Sequence, residues 1–294
     1  MSYIHIENLY KDRRIMLLKQ CYALEQVHGT SAHLAYTEGE ENILYFAGGA
    51  NRLDFTDLFD GEQLLAKFKA LGLPPNVKII VYGEAYGGKL QGMAGTYGDE
   101  LDFIVFEVKI RDTWLNVPKA EKLSLSLGLP FVSYNVIMTT MNDINDELAL
   151  PSYVGKLHGI KDKPREGIVL RPLEELYDNR GNRLIVKHKN TQFMETKSPR
   201  EVSPDQPKTL EDAEEIASEW VTWTRLRNAI GKLTCPVDIT ATSKVIDAMQ
   251  EDILREAKGE IIESRQVCRA IGRETVLLYK AYLEGIKAQE ADNV

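Results

Sequence analysis

The chain has 294 residues, 44% of them hydrophobic and 27% charged, the make-up of a globular protein with a buried core and not of a disordered or fibrous one. Its three cysteines, Cys21, Cys235 and Cys268, are too few and too scattered for a disulfide framework or a metal-ligand spacing, and they suit a reducing cytoplasm. The net charge of −8 argues against non-specific nucleic-acid binding, the start MSYIHIENLYKDRR lacks the apolar run of a secretory signal, and no stretch approaches the roughly 18 apolar residues of a membrane span.

In chain order, β-branched apolar runs bounded by turn residues predict strands over Val77–Tyr82, Phe103–Ile110, Gly167–Leu170 and Leu184–Val186. Phe103 and Phe106 are three apart in their strand, so they face opposite sides and only one can line a given pocket. Leu64, Leu65 and Phe68 predict a helix over Asp60–Leu71 that stops at Gly72, and Pro118 opens another that runs to Ser126. The stretch RPLEELYDNRGNR reads as a long hairpin loop. Past Ser198 the composition shifts: SPREVSPDQPK, with three prolines, reads as a linker. Beyond it the strand signal disappears. Thr209 is predicted to cap a helix carrying Ala213, Ile216, Ala217, Trp220 and Val221, with its pattern running to Gly231. Two more helical patterns run through Val245–Leu254 and Val267–Ile286. The expectation is a mixed α/β domain over residues 1–203 and a helical domain over 204–294.

Five short stretches concentrate chemistry-bearing residues. They are Glu25-Gln26-Val27-His28-Gly29-Thr30-Ser31, Val81-Tyr82-Gly83-Glu84, the strand holding Phe106-Glu107, Arg165-Glu166-Gly167, and Val186-Lys187-His188-Lys189. Taken one at a time, each has a plain structural explanation. Glu84 and Glu166 fit strand-end carboxylates in solvent, Phe103 and Phe106 fit core positions, and Lys187 and Lys189, sharing one strand face, fit a wet edge. The basic runs Arg183, Lys187, His188, Lys189, Lys197, Arg200 and Arg225, Arg227, Lys232 fit solvated faces.

Taken together, in this order, the stretches resemble the motifs of the covalent nucleotidyltransferases, the nucleic-acid ligases and mRNA capping enzymes. The first motif of that superfamily is Lys-x-(Asp or His)-Gly. The His28-Gly29-Thr30 version is similar to the RNA ligase 2 branch, which includes the RNA-editing ligases. Gly83-Glu84-Ala85-Tyr86-Gly87-Gly88 followed by Gln91, then Phe106-Glu107, Glu166-Gly167 and Lys187-x-Lys189 resemble the later motifs of that branch over about residues 20 to 190. The helical tail, with Arg225-Leu226-Arg227-Asn228-Ala229-Ile230, also resembles that branch, whereas capping enzymes and most DNA ligases carry a strand-rich OB-fold there.

The resemblance implies an α+β, ATP-grasp-like nucleotidyltransferase fold with antiparallel sheets and a small all-helical C-terminal domain. It implies an ATP-dependent ligase joining a 3′-hydroxyl to a 5′-phosphate of RNA, at nicks in duplex, through lysyl-AMP and RNA-adenylate. Lys187 and Lys189 would hold the α-phosphate, Glu84 the ribose, and Phe106 the adenine; Glu25, Val27 and Arg52 would complete the ATP (AMP) site. Glu166 would bind Mg²⁺ or Mn²⁺ through water, and His28, Ser31, Arg225 and Arg227 would meet RNA. Two positions depart from the pattern. Ser31 stands where the motif has asparagine, and Gln26 stands where the nucleophilic lysine belongs. A carboxamide nitrogen shares its lone pair with the carbonyl and cannot attack phosphorus. The chain therefore reads as a lysine-to-glutamine variant unable to adenylylate itself, in preference to a natural non-catalytic RNA-end-binding relative or a GTP-using capping enzyme. A cytoplasmic monomer without membrane contact is expected.

Overall fold

The structure is a computed structural model that describes residues 3–203, 209–233 and 235–292, so the last five residues of the proline-rich linker lie outside the described residues. The chain divides into two compact units, the first ending at Asn190 and the second starting at Thr191.

The first unit runs β1 (Glu7–Asn8), β2 (Gln20–Gln26), β3 (Thr30–Thr37), β4 (Leu44–Phe46), α1 (Arg52–Asp57), α2 (Gly61–Ala70), β5 (Lys78–Gly87) and α3 (Ala94–Tyr97). It continues β6 (Leu101–Ile110), β7 (Thr113–Trp114), α4 (Val117–Ser126), β8 (Tyr134–Met138), α5 (Met141–Leu148), α6 (Tyr153–Leu157), β9 (Gly167–Pro172) and β10 (Val186–Lys189). The strands form two five-stranded sheets, ordered β1-β10-β9-β2-β8 and β4-β3-β5-β6-β7. All neighbours are antiparallel except β1 with β10, so the expected mixed α/β fold with antiparallel sheets is found.

Local chemistry explains the helix limits. Asn51 caps α1, Asp60 caps α2 by accepting the Gln63 N–H at 3.0 Å, and Asn116 caps α4 with Pro118 in its first turn. Leu64 and Phe68 of α2 are buried, and Phe55 and Phe59 meet the Phe103 ring edge-on at 5.4 and 5.7 Å. Helices thus cover one face of the second sheet. The other face, carrying Glu84 and Tyr82, is left for the site. The last strand begins two residues later than predicted and extends through Lys189, which places both lysines inside a paired strand.

The second unit contains α7 (Ala213–Trp220), α8 (Trp223–Gly231), α9 (Thr242–Glu256) and α10 (Arg265–Asp292) around a core of Trp220, Leu226, Met249, Ile253 and Ile271. Two expectations are corrected here. The cap of α7 is Asp212, accepting the Glu214 and Glu215 N–H groups, while Thr209 bonds the Gly259 carbonyl instead. The single helix expected up to Gly231 is two, because Val221 is extended and the Thr222 hydroxyl caps α8 by accepting the Arg225 N–H. The boundary also falls earlier than residue 203, after Asn190. Residues beyond it are tied to the helices: Lys197 N–H donates to Glu219 O at 2.9 Å, and Arg200 pairs with Glu219 and Glu260, each at 2.8 Å.

Candidate functional site

Strand register builds the first half of the site. Gln26 pairs with Gly167, and Gly167 with Lys189; one step along, Leu24 pairs with Val169, and Val169 with Lys187. Residues directly opposite in a ladder project to the same face. Gln26, Gly167, Lys189 and Lys187 therefore share one face, with positions 26 and 189 separated by two strand spacings, about 10 Å. Gly167 is the gap in that row. A Cβ there would lie 2.6 Å from His188 O and 2.9 Å from Gln26 Oε1, so the Gln26 side chain occupies the space over the glycine. Its Oε1 is buried with no hydrogen-bond partner.

The turn after β2 carries the next groups. His28 is 8% exposed, and its Nδ1 lies 3.2 Å from Glu166 Oε2, while Lys189 Nζ lies 3.2 Å from Glu166 Oε1. Glu166 thus draws the turn and β10 together. Gly29 N–H donates to Glu84 Oε1 at 3.2 Å, Gln91 Nε2 donates to Gly29 O at 3.4 Å, and His28 N–H donates to Tyr97 Oη at 3.1 Å. A Cβ on Gly29 would meet Ala85 O at 2.1 Å, so only glycine lets β3 and β5 approach here.

Ser31 pairs with Glu84 and His33 with Tyr82, which puts all four on the open face of the second sheet. In β6 the register slips by one, so that Tyr82 opposes Glu107, Gly83 opposes Val105, and Phe106 is the extra residue. The bulge keeps Phe106 and Glu107 on one face, and Tyr3 touches both. Its ring meets Phe106 at 5.0 Å and its hydroxyl donates to Glu107. Phe103 faces the other way, as the spacing predicted.

Glu107 is fully buried within an ion cluster. Arg171 Nη1 is 2.9 Å from its Oε1, close enough for charge pairing but not aligned as a hydrogen bond, and Arg183 Nη1 donates to its Oε2 at 3.0 Å. Glu175 pairs with both arginines, and the Arg183 guanidinium lies 4.2 Å from the Trp114 ring centre. Arg171 is on β9 and Glu107 on β6, so the cluster joins the two sheets. Burial first, and then the Glu107 charge, hold the Tyr3 hydroxyl well above its usual pKa.

The predicted residues sort unevenly. Gln26, His28, Glu166 and Lys189 come together, with Lys187 one row along; Ser31, Glu84 and Phe106 share the facing sheet. The Glu25 carboxylate does not join them, since alternation sends it to the opposite side of β2 from Gln26. There it accepts from Ser133 Oγ at 3.1 Å, Ser152 Oγ at 2.5 Å and Tyr153 N–H at 2.9 Å, and its own N–H donates to Ser133 O at 2.9 Å. Val27 is a core residue, 5% exposed. Arg52 is exposed at the start of α1, with no ion-pair partner among the described residues. The loop before it is anchored by Gly49 N–H donating to Thr30 Oγ1 at 2.8 Å.

Arg225 was expected to meet RNA, but it is 1% exposed. Its guanidinium pairs with Asp252 and Glu195 and packs on Trp220 at 5.2 Å, so it is a structural ion of the second unit. Arg227 is exposed on α8. Of the basic runs, Arg183, Arg200 and Arg225 are all spent on internal pairs. Sequence reasoning missed Tyr3, Tyr97 and Arg171, none of which sits in a motif-like run.

Glu166 is the one predicted metal ligand. Among the described residues no group of three or more His, Cys, Asp or Glu side chains is placed to hold a metal. A single carboxylate beside a lysine fits an ion such as Mg²⁺ that keeps its waters and takes few ligands from the protein. A cavity of about 260 Å³ lined by Phe59, Leu64, Lys67, Phe103 and Leu127 lies on the helix-covered side of the second sheet, away from these groups. No helix among the described residues is long and apolar enough to cross a membrane.

Comparison with solved structures finds chains of similar fold. A Naegleria gruberi RNA ligase mutant with AMP and manganese matches with a TM-score of 0.50 at 14% identity, over 66% of this chain and 57% of that one. A second mutant of the same ligase, with ATP and manganese, gives the same values. The chain thus spans little more than half the length of those relatives. Comparison with curated proteins finds no match. Comparison with protein families matches residues 19–189 to the RNA ligase family. That stretch exceeds half of the 294 residues and contains every strand that builds the site, and the chain belongs to the RNA ligase family.

Proposed function

We propose that this chain is the scaffold of an ATP-dependent RNA ligase of the RNA ligase 2 and editing-ligase branch, silenced at the nucleophile by Gln26. The native reaction would join a 3′-hydroxyl to a 5′-phosphate at nicks in duplex RNA, in the cytoplasm and as a monomer. The observation that carries this reading is the row Gln26–Gly167–Lys189 with Glu166 beside it. Position 26 lies across a glycine gap from a lysine, where an amine would meet an α-phosphate held by Lys187 and Lys189. Glutamine leaves a buried acceptor unanswered in that slot; lysine would bring only donors. The Naegleria ligase structures with AMP or ATP and manganese support ATP and a divalent metal as the partners of this site.

Phosphoryl transfer asks a protein mainly for positioning and charge neutralisation. Lys187 and Lys189 supply the positive charge, and Glu84, one strand from Ser31, takes the ribose hydroxyls. Phe106 would offer its face to the adenine, and Glu166 would hold Mg²⁺ or Mn²⁺, which would supply charge neutralisation at the phosphates. Arg52 and His28 would act on the phosphate side of the nucleotide. Arg227 is the helical unit's contact to the RNA backbone, and binding through phosphates there would weaken steeply with salt.

The test uses the chain as it stands beside Gln26→Lys, each given Mg²⁺ and α-labelled ATP or GTP, with label retained on denatured protein recorded. ATP label on Gln26→Lys alone supports the reading. Preference for GTP transfers it to a capping enzyme. No label on either form makes the protein an RNA-end-binding relative.

A further inference from the structure

The turn that follows position 26 has its backbone held from three directions. Gly29 N–H is taken by Glu84 and Gly29 O by Gln91, both within the motif-like run from Gly83 to Gln91. The third bond, His28 N–H to Tyr97 Oη at 3.1 Å, comes from a residue outside every motif. Tyr97 is fully buried at the end of α3, with its ring edge-on to Tyr86 at 5.6 Å. Burial above all, and then the charges of Glu166, Glu25 and Glu84, hold its hydroxyl protonated. The acceptor facing His28 N–H is therefore a neutral oxygen. A carboxylate in its place would add a fourth negative charge to a region where Glu166 must face phosphate.

What the bond fixes is the direction of His28. Its imidazole Nδ1 reaches Glu166 Oε2 at 3.2 Å, and the other oxygen of Glu166 lies at the same distance from Lys189 Nζ. A rotated peptide at residue 28 would swing the imidazole away and release one side of Glu166. We infer that Tyr97 is a positioning residue: its hydroxyl oxygen, by accepting the His28 amide proton, keeps Glu166 and Lys189 aligned with position 26 without itself touching nucleotide or RNA. Such outer partners typically change function ten- to a hundred-fold when lost. The inference rests on the ligase reading above.

Tyr97→Phe in the Gln26→Lys chain removes one oxygen and keeps the ring. Two measurements test it. Exchange of the His28 amide proton should speed up by ten-fold or more. The adenylylation rate at saturating ATP should fall about ten- to a hundred-fold, while the ATP concentration giving half the maximal rate moves less than two-fold. Tyr86→Phe is the control, because the Tyr86 hydroxyl bonds Asp102 and His158, at 3.0 and 3.1 Å, and not the turn; it should keep the parent rate. A Tyr97→Phe rate within two-fold of the parent overturns the inference. An equal loss in Tyr86→Phe, or a loss of ATP affinity in step with rate, also overturns it. If the Gln26→Lys chain itself takes no label, the ligase reading fails first, and the inference falls with it.

Discussion

Glu107→Gln tests whether the buried ion cluster holds the sheets together. Glu107 is 0% exposed and faces Arg171 at 2.9 Å and Arg183 at 3.0 Å, with Glu175 as the second carboxylate. Two positive and two negative groups balance as built. The amide is nearly isosteric, so packing is kept, but one charge disappears and the new NH₂ faces guanidinium donors. Two buried arginines are then left with one carboxylate. Breaking a buried pair by removing one partner costs about 3–5 kcal/mol, because the remaining charge cannot be rehydrated. For a unit of this size that corresponds to a melting temperature about 6–20 °C lower. Urea titration read by amide exchange in β6 and β9 peptides would report the first unit alone. Adding Arg183→Gln should recover part of the loss, a coupling of about 1–3 kcal/mol. A loss below about 1 kcal/mol, or simple additivity of the two changes, would show that the arginines are solvated and that the cluster does not clasp the sheets.

Three further outcomes are expected. Gly167→Ala puts a methyl 2.6 Å from His188 O and 3.1 Å from Lys189 Cα, an overpacking cost of about 1–3 kcal/mol; in the Gln26→Lys chain, ATP labelling should slow at least ten-fold, and unchanged labelling would sink the row geometry. His33 is held at about 4, below its ordinary 6.5, chiefly by burial. The unfolded chain therefore takes up this proton first as pH falls from about 6.5 to about 4, and stability should drop across that window by on the order of 2 kcal/mol. His33→Phe should remove that slope from urea midpoints measured against pH, and an identical slope would assign it elsewhere. Finally, the chain with Gln26 should still seal a nick whose 5′-phosphate already carries AMP, in Mg²⁺ and more slowly than Gln26→Lys, because the closing step needs no amine nucleophile; gel separation of joined RNA would decide it, and no product would refute it.

Much of the first unit was legible because its strands are apolar and β-branched and its helices carry polar caps. The apolar run that opens β5 and the Asp60 that opens α2 are each read from residues only a few positions apart. The row Gln26–Gly167–Lys189 is different in kind. Its members are distant in sequence, and only ladder register shows that they share a face. Alternation along β2 was enough to turn Glu25 away from Gln26, a signal available in the sequence. Arg225 misled because charge alone does not reveal its partner, and Asp252 on another helix neutralises it. The break at Val221 was hidden because the apolar periodicity continues across a threonine that serves as a cap. Tyr97 ends a four-residue helix, too short for periodicity to register.

The extra residue in β6 gives that strand a wiring that strict alternation would forbid. Phe106 and Glu107 are neighbours along the chain and across the same face. A push on the aromatic ring is therefore felt, one peptide bond away, by the carboxylate that two arginines grip. Whatever settles against Phe106 leans on the clasp between the sheets, and any tightening of the clasp resets the seat of the ring.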